Sequence, residues 1–193
     1  LAKWADVPII NGLTDLLHPT QIIADLMTIE EYKGKLSGLK AVFVGDGNNV
    51  AHSLLFGGAK VCMDVVIACP SGYEPDKDIV KLAQEDARLT GASIEIINDP
   101  QTAVLGADVI YTDVWASMGQ EDEAEEKEKI FTSYQLNREL VNRAKKDAII
   151  LHCLPAKRGK EITDEVMEGP QSVVFDEAEN RLHAHKAIMA VTM

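Results

Sequence analysis

The sequence predicts an α/β protein with a doubly wound parallel sheet flanked by helices. Apolar runs of strand length, rich in Val and Ile, recur along the chain with helical stretches between them. Such near-continuous apolar runs are typical of parallel strands that are covered on both faces. Strand–helix alternation at this spacing also indicates right-handed crossovers between strands. The predicted strands are Leu39–Val44, Val61–Ala68, Ser93–Ile97, Asp108–Tyr111, Ala148–Leu151 and Ser172–Phe175.

The helices are predicted from their end signals as well as from their apolar faces. Asp76 is a good N-cap for a helix that ends at Gly91. A second helical pattern covers Tyr134–Lys146, and an earlier one covers His18–Lys33, after a short strand-like run at Val7–Ile10. Because this early helix precedes the main predicted sheet, it is interpreted as a connector from another domain.

Charge and composition exclude some classes of partner. Of the 193 residues, 46% are hydrophobic, which is enough for a buried core. The formal net charge is −12, so nucleic acid and acidic membrane surfaces would be repelled over most of the surface. The acidic run from Glu121 to Glu128 is interpreted as a solvated loop or helix start. We therefore expect a partner that is neither nucleic acid nor membrane.

The cysteines and the apolar segments predict a cytoplasmic protein. Cys62, Cys69 and Cys153 are odd in number and lack CxxC spacing, which argues against a disulfide scaffold. Cys62 and Cys69 fall in an apolar run, where small buried side chains are expected. No apolar stretch approaches the ~20 residues that span a bilayer, and no secretory signal pattern opens the chain.

The loop after the first strand, Gly45–Val50, has the start of a dinucleotide-binding pattern within this Rossmann-like arrangement. Its third glycine position is Val50, however, and no acidic residue ends the second strand, so a nicotinamide cofactor is disfavoured. What remains is a helix N-terminus with the amides of Asn48 and Asn49, which suits a carboxylate ligand. The alternative is that both Asn side chains only cap the helix.

Two further loops follow strands at the edge where ligands bind in open α/β sheets. After the fourth strand, Asp113 offers a carboxylate for a substrate ammonium and Ser117 adds a hydroxyl, although an ordinary capped loop is equally consistent. After the fifth strand come His152 and Cys153. Adjacent side chains on an extended chain point to opposite sides, so a binding role for Cys153 is favoured over Cys–His nucleophilic catalysis. A buried structural thiol is the alternative.

Flanking segments contribute other candidates. His18 and Gln21 lie on the first turn of the early helix, where a lone His would usually be a cap. Arg181, near the end of the chain, is either a surface side chain or an anion clamp. His183 and His185 are spaced i, i+2, which is wrong for two ligands on one helical face, so no metal site is predicted there.

Five segments together resemble the carbamoyltransferase family. They are LLHPTQIIADLMTI, FVGDGNNVAHSLL, DVWASMGQE, HCLPAKRG and FDEAENRLHAHKAIMA, in this order. The Ser117-Met118-Gly119 loop is similar to that of the ornithine-specific member. The resemblance implies carbamoyl transfer from carbamoyl phosphate to the δ-amine of L-ornithine, giving citrulline and phosphate, with no metal or organic cofactor.

The resemblance also implies roles for individual residues. Asn49 would hold the ornithine α-carboxylate, while Asp113, Ser117 and the Met118 backbone would hold its α-ammonium. The residues implied to be catalytic and to hold carbamoyl phosphate are His18, Gln21, Cys153 and Arg181, with Leu154 as a further contact. In chemical terms, His18 and Arg181 would stabilise the developing oxyanion.

One departure from the family is large, because the Ser-Thr-Arg-Thr phosphate-binding motif is nowhere in these residues. We therefore expect residues 1–34 to be a connector from a missing carbamoyl-phosphate domain, 35–180 to be the ornithine-binding domain, and 181–193 to start a helix that returns to the missing domain. The chain alone would bind ornithine weakly without useful turnover, and the full-length protein would be a homotrimer. Alternatives are a carbamoyltransferase for another amine and a non-catalytic ligand-binding or interaction module.

Overall fold

The protein is built on one five-stranded parallel sheet, which confirms the predicted fold class. A computed structural model describes residues 1–116 and 124–193. All neighbouring strands are parallel, and their order across the sheet is β3-β2-β1-β4-β5. The strands are β1 (Lys40–Val44), β2 (Asp64–Ala68), β3 (Ile94–Ile97), β4 (Val109–Thr112) and β5 (Ile149–His152).

Helices cover both faces of the sheet. They are α1 (Pro19–Lys33), α2 (Asn49–Lys60), α3 (Lys77–Thr90), α4 (Pro100–Ala103), α5 (Ala124–Phe131), α6 (Arg138–Val141), α7 (Asp164–Met167) and α8 (Val174–Thr192). Short 3-10 turns occur at Ala2–Trp4 and Thr132–Tyr134. Among the described residues, no helix is both long and apolar enough to cross a membrane.

The sheet separates two apolar layers because successive strand side chains point to opposite faces. On one face, Phe43 and Tyr111 stack with ring centroids 5.7 Å apart and pack with apolar residues of α1, α2 and α3. On the other face, Val42 and Ile110 pack with α4 to α7, around the fully buried ring of Phe131. Helix α8 packs along α1 and also contacts β5.

The strand order positions the functional loops. The chain moves outward from β1 to β2 and β3, and then returns to add β4 and β5 on the other side of β1. The crevice at such a reversal, beyond the carboxyl ends of the strands, is where ligands bind in this class of sheet. The loops after β1, β4 and β5 are therefore neighbours.

Helix α3 follows its sequence signals closely. The Asp76 carboxylate accepts hydrogen bonds from the Asp78 and Ile79 amides, and Gly91 ends the helix with a φ of 87°. A positive φ strains most residues but not glycine, which has no Cβ. The predicted cap and stop are both confirmed.

Three predicted elements are wrong or shortened. The strand predicted at Ser172–Phe175 is a single bridge from Ser172 to Ile150 followed by the start of α8, since a short apolar run suits a buried helix start equally well. The helix predicted at Tyr134–Lys146 is only α6, because the Leu136 backbone is bonded to Glu161 and Thr163 instead. Val7–Ile10 forms no strand and is exposed.

The strand predicted at Val61–Ala68 begins only at Asp64. Val61 to Met63 form the turn between α2 and β2, in which Cys62 has a φ of 59°. Its half-buried thiol donates to the Thr90 carbonyl at 3.1 Å. Cys69, in contrast, is fully buried as predicted.

Candidate active site

The carboxylate of Asp113 lies just beyond the carboxyl end of β4 and is held by three donors. Its Oδ2 accepts from Asn48 Nδ2 at 2.8 Å. Its Oδ1 accepts from the Val114 amide at 2.8 Å and from the Cys153 thiol at 3.1 Å. These donors come from the loops after β1, β4 and β5, so this one carboxylate joins all three. Its orientation is fixed before any ligand arrives.

The two asparagines after β1 have different roles. Asn48 is the N-cap of α2: its Oδ1 accepts from the amides of Val50 and Ala51, while its Nδ2 donates to Asp113. Asn49 does not cap the helix, and its Nδ2 donates to the Thr14 carbonyl at 2.8 Å. The alternative in which both side chains only cap is therefore wrong. The predicted role of Asn49 as a carboxylate ligand stays a prediction.

His152 and Cys153 point to opposite sides, as the extended chain predicts. His152 is fully buried, accepts the Leu154 amide on Nδ1 at 2.9 Å, and bonds Glu161 through Nε2 at 3.2 Å. The Nε2 atom therefore carries the ring proton. Burial, reinforced by the Asp113 charge, raises the pKa of the Cys153 thiol well above its usual value. Cys153 is thus a protonated donor to Asp113, which disfavours nucleophilic catalysis.

A metal ion would have to break bonds that the protein already makes at this position. Asp113, His152 and Cys153 each place one possible ligand atom within 4.8 Å of the others. Both ring nitrogens of His152 are nevertheless engaged, and a thiolate is disfavoured at Cys153. The three groups are better described as a hydrogen-bonding cluster.

The first turn of α1 brings His18 and Gln21 to the same edge of the sheet. The His18 amide donates to Ser53 Oγ at 2.7 Å, which ties this turn to α2. The His18 side chain makes no capping bond, so the simple cap is wrong. Its Nδ1 is buried with no hydrogen-bond partner among the described residues. Burial, and secondarily the charge of Arg181, lowers the pKa of His18, which is therefore neutral at pH 7.

Arg181 reaches this edge from α8. Its guanidinium donates to the Cys153 carbonyl at 3.3 Å, and the residue is only half-buried. Its charge acts on both His18 and the carboxyl group of Asp25. Arg181 is therefore directed toward the β5 loop and is well placed to hold an anion or a developing negative charge.

The remaining predicted site residues differ in what can be said of them. Leu154 lies at the turn after β5 with a φ of 56° and is followed by a cis peptide bond to Pro155. Its amide is bonded to the His152 ring, which fixes the course of the backbone beside Cys153. Ser117 and Met118 lie outside the described residues, so their roles stay predictions.

Comparison with family profiles places the chain in a known family. The profile of the aspartate/ornithine carbamoyltransferase family, Asp/Orn binding domain, matches residues 37–192. The chain belongs to this family. The profile of the family's carbamoyl-P binding domain matches residues 1–31, which lie within the predicted connector, residues 1–34.

Relatives support the assignment over the whole chain. The chain is 61% identical over 193 residues to an ornithine carbamoyltransferase of Thermococcus kodakarensis and spans 61% of that protein's length. It resembles the structure of the ornithine carbamoyltransferase from Pyrococcus furiosus with a TM-score of 0.96 and 59% identity, covering 100% of this chain and 61% of that one. For the enzyme from Gloeobacter violaceus the TM-score is 0.92, with 53% identity and coverages of 100% and 64%.

Sequence reasoning missed several groups that shape the site in this family member. Asn48 was weighed as a cap but not as a partner of Asp113. Neither Asp25 nor Glu177 was singled out, although both are fully buried beside Gln21. A charged residue inside an apolar helical segment was the available signal for Asp25, because such residues are rarely buried unless paired.

Proposed function

We propose that this chain is the ornithine-binding part of an ornithine carbamoyltransferase. The reaction joins the δ-nitrogen of L-ornithine to the carbonyl carbon of carbamoyl phosphate and breaks the bond from that carbon to the phosphate oxygen. Citrulline and phosphate are the products, and the amine loses a proton. The observation that carries the proposal is the Asp113 carboxylate, which is fixed by donors from three adjacent loops at the reversal of the sheet.

The amino-acid end of the substrate is proposed to bind at Asp113. A carboxylate oriented by Asn48 and Cys153 retains free lone pairs that can accept an α-ammonium group. Ser117 and the Met118 backbone are proposed to add further contacts to the ammonium, and Asn49 to hold the α-carboxylate. Together these contacts would place the δ-amine at the α1 and α8 edge of the site.

The carbamoyl group is proposed to lie between the first turn of α1 and Arg181. Arg181 supplies a permanent positive charge, and neutral His18 supplies a hydrogen-bond donor, to the oxygen on which charge develops during attack. The buried, unpartnered Oε1 of Gln21 is an acceptor for the carbamoyl N–H groups. Cys153 and Leu154 are proposed to line the path of the amine. Holding two substrates together accounts for much of the remaining acceleration.

The first test is titration calorimetry with L-ornithine, putrescine and N-acetyl-L-ornithine. Binding of L-ornithine with at least ~10-fold preference is expected, since Asp113 recognises an α-ammonium that the other two lack or mask. Preference for another amine would support a different carbamoyltransferase, and binding of none would support an interaction module. Asp113→Asn should weaken L-ornithine binding by at least ~10-fold, whereas Glu85→Gln, an equal charge change on exposed α3, should not.

Turnover of the 193-residue chain is a separate question. Because these residues contain no Ser-Thr-Arg-Thr motif, we propose that the chain alone holds carbamoyl phosphate poorly and forms little citrulline. A colorimetric citrulline assay on the purified chain tests this directly. Rapid citrulline formation would overturn the fragment proposal while supporting the reaction itself.

The wider context is also proposed from the relatives' names. The relatives are described as ornithine carbamoyltransferases, one of them as anabolic, which supports a role in arginine biosynthesis. A cytoplasmic location is proposed from the free cysteines. A homotrimer is proposed for the full-length protein, with the second domain as partner of this one. Sedimentation of the full-length protein would test the trimer.

A further inference from the structure

A group of buried acids lies behind the first turn of α1. Asp25 of α1 and Glu177 of α8 are fully buried, and Gln21 lies between them with 1% of its surface exposed. Tyr111 of β4 lies on the same side and is fully buried too. Two acids without solvent contact need an account, because burying a carboxylate is costly unless hydrogen bonds or charges compensate.

The hydrogen bonds of Gln21 are all on one side. Its Nε2 donates to Asp25 Oδ1 at 2.8 Å and to Glu177 Oε1 at 3.1 Å, so both of its N–H groups are used. The amide oxygen must then point away from the two acids, and this buried Oε1 has no partner among the described residues. The two acids therefore set the direction in which Gln21 presents its acceptor.

The two acids also lie close together, because both accept from the same Gln21 Nε2 atom. Ionised carboxylates only accept hydrogen bonds, so neither could donate to the other. No described N–H or O–H group donates to Asp25 Oδ2, whereas Glu177 accepts from Tyr111 OH at 3.2 Å and from the His152 amide at 2.8 Å. A proton held between Asp25 and Glu177 supplies the missing donor and removes one of two buried negative charges.

The surroundings favour retention of that proton. Burial raises the pKa of Asp25 to about 7, and burial together with Asp25 raises that of Glu177 well above its usual value. Arg181 of α8 is the cation that acts on Asp25, and it is only half-buried. Among the described residues, Tyr111 of β4 and Cys153 after β5 are titratable groups that lie near the pair, and burial raises the pKa of both well above its usual value.

We propose that Asp25 and Glu177 share a proton and act as a positioning pair that turns the amide oxygen of Gln21 toward the carbamoyl NH2 group. The proposal rests on the proposed function for the identity of the ligand, but not for the proton. Neither acid touches the substrate in this arrangement. They act through Gln21, and through the His152 amide that precedes Cys153.

The shared proton has a testable effect on stability. Between about pH 4 and about pH 7 the unfolded chain has released the Asp25 proton while the folded protein retains it, so stability falls as pH rises through this window. From about pH 5 to about pH 8, the unfolding constant of the wild type should rise by about 10- to 100-fold more than that of Asp25→Asn. Urea unfolding at several pH values measures this, with Glu85→Gln as control.

Variants of the two acids show whether the pH dependence of stability comes from the pair. Asp25→Asn keeps an acceptor for Gln21 and a donor for Glu177, so it should fold and leave only the Glu177 contribution, which Glu177→Gln should then remove. A pH dependence identical in wild type, Asp25→Asn and the double variant would show that the pair holds no extra proton. That outcome would overturn the proposal whatever the enzyme activity.

The positioning role has its own readout in the full-length enzyme. Asp25→Leu removes one acceptor and should lower kcat by at least ~10-fold, with little change in the KM for L-ornithine, because Gln21 loses its orientation. Asp25→Asn should restore most of kcat. Equal losses in both variants, or full activity in the leucine variant, would refute the role. Failure of the wild type to form citrulline would instead refute the proposed function and leave the stability test intact.

Discussion

At the scale of single residues, environment decides what a side chain can do. Three cysteines with the same intrinsic chemistry occupy different surroundings: Cys69 and Cys153 are buried, while Cys62 lies half-buried in a turn. Burial raises the pKa of Cys69 to about 12 and that of Cys153 well above its usual range. The thiolate is the reactive form, so Cys69 and Cys153 should be less reactive than Cys62.

This difference predicts a labelling pattern. In the native protein near pH 8, Cys62 should react with iodoacetamide at least ~10-fold faster than Cys69 or Cys153, because Cys62 is the least buried of the three residues. Peptide mass spectrometry after timed quenching identifies each site. All three should react at similar rates in urea, which serves as the control. Rapid native labelling of Cys153 would contradict its assignment as a buried donor to Asp113.

A second residue-scale prediction concerns Gly47, in the loop before α2. A Cβ at this position would lie 2.3 Å from the Pro75 nitrogen and 2.5 Å from the Glu74 carbonyl carbon, so backbone would have to move. Gly47→Ala should lower the free energy of unfolding by about 1 to 3 kcal/mol and weaken L-ornithine binding through displacement of Asn48. Gly12→Ala, where a Cβ meets nothing within 4 Å, is the matched control. Equal stability of the two variants would contradict this.

At the scale of elements, prediction succeeded where a strand has a local sequence pattern. It failed where contacts with distant residues determine whether a segment is a strand or a helix. The five strands were found because Val- and Ile-rich runs of strand length are a local pattern. The strand predicted at Ser172–Phe175 was wrong, since Val173 and Val174 are buried at the start of α8. Position 180, proposed as a domain boundary, lies inside this continuous helix, and the division into domains stays a prediction.

Helix α5 is attached to the β1 loop by an ion pair with little solvent contact. Lys127 Nζ lies 2.6 Å from Asp46 Oδ2, with side-chain exposures of 6% and 15%, and also 5.6 Å from the Tyr73 ring centroid. Removing one partner of such a pair leaves a charge poorly solvated. This contact joins the element after the undescribed segment 117–123 to the loop that carries Asn48.

Lys127→Met should therefore destabilise the protein by about 3 kcal/mol. The double variant Asp46→Asn/Lys127→Met should recover part of that loss, since both charges of this ion pair are then removed. Lys60→Met breaks the pair with Asp86, whose side chains are 64% and 32% exposed, and should change stability by less than ~0.5 kcal/mol. Urea unfolding of the four proteins gives the comparison. A Lys127→Met effect as small as that of Lys60→Met would show that the pair contributes nothing.

At the scale of the whole molecule, the site depends on contacts that no short window contains. Asp113 and Cys153 were predicted because each follows a strand. The Asn48–Asp113 bond was not, since it depends on β1 and β4 being neighbours. Asp25 and Glu177 were missed for the same reason: only the packing of α1 against α8 makes them partners. The sequence predicted which side chains follow the strands, but not the hydrogen bonds among them.

Backbone hydrogen bonding predicts how local stability is distributed. Residues 5–13 have no regular secondary structure and, from residue 6 onward, exposed side chains, whereas β1 is paired on both sides and covered on both faces. Hydrogen exchange should be close to the intrinsic rate in the first segment and slowest in β1 and β2. Mass-spectrometric exchange of the native protein tests this. Strong protection of residues 5–13 would indicate a structure that these contacts do not provide.

The packing of α1 against α8 has a consequence for the order of events in folding. Asn180 donates to Thr28 Oγ1 across 152 residues of chain, and Gln21 reaches Glu177 across 156. During synthesis α1 emerges well before these polar partners, so Asp25 is at first solvated as an ordinary ionised acid. Docking of α8 then closes a very long loop and coincides with capture of a proton. Docking of α8 should therefore be more favourable in mildly acidic solution, because it is linked to the uptake of that proton.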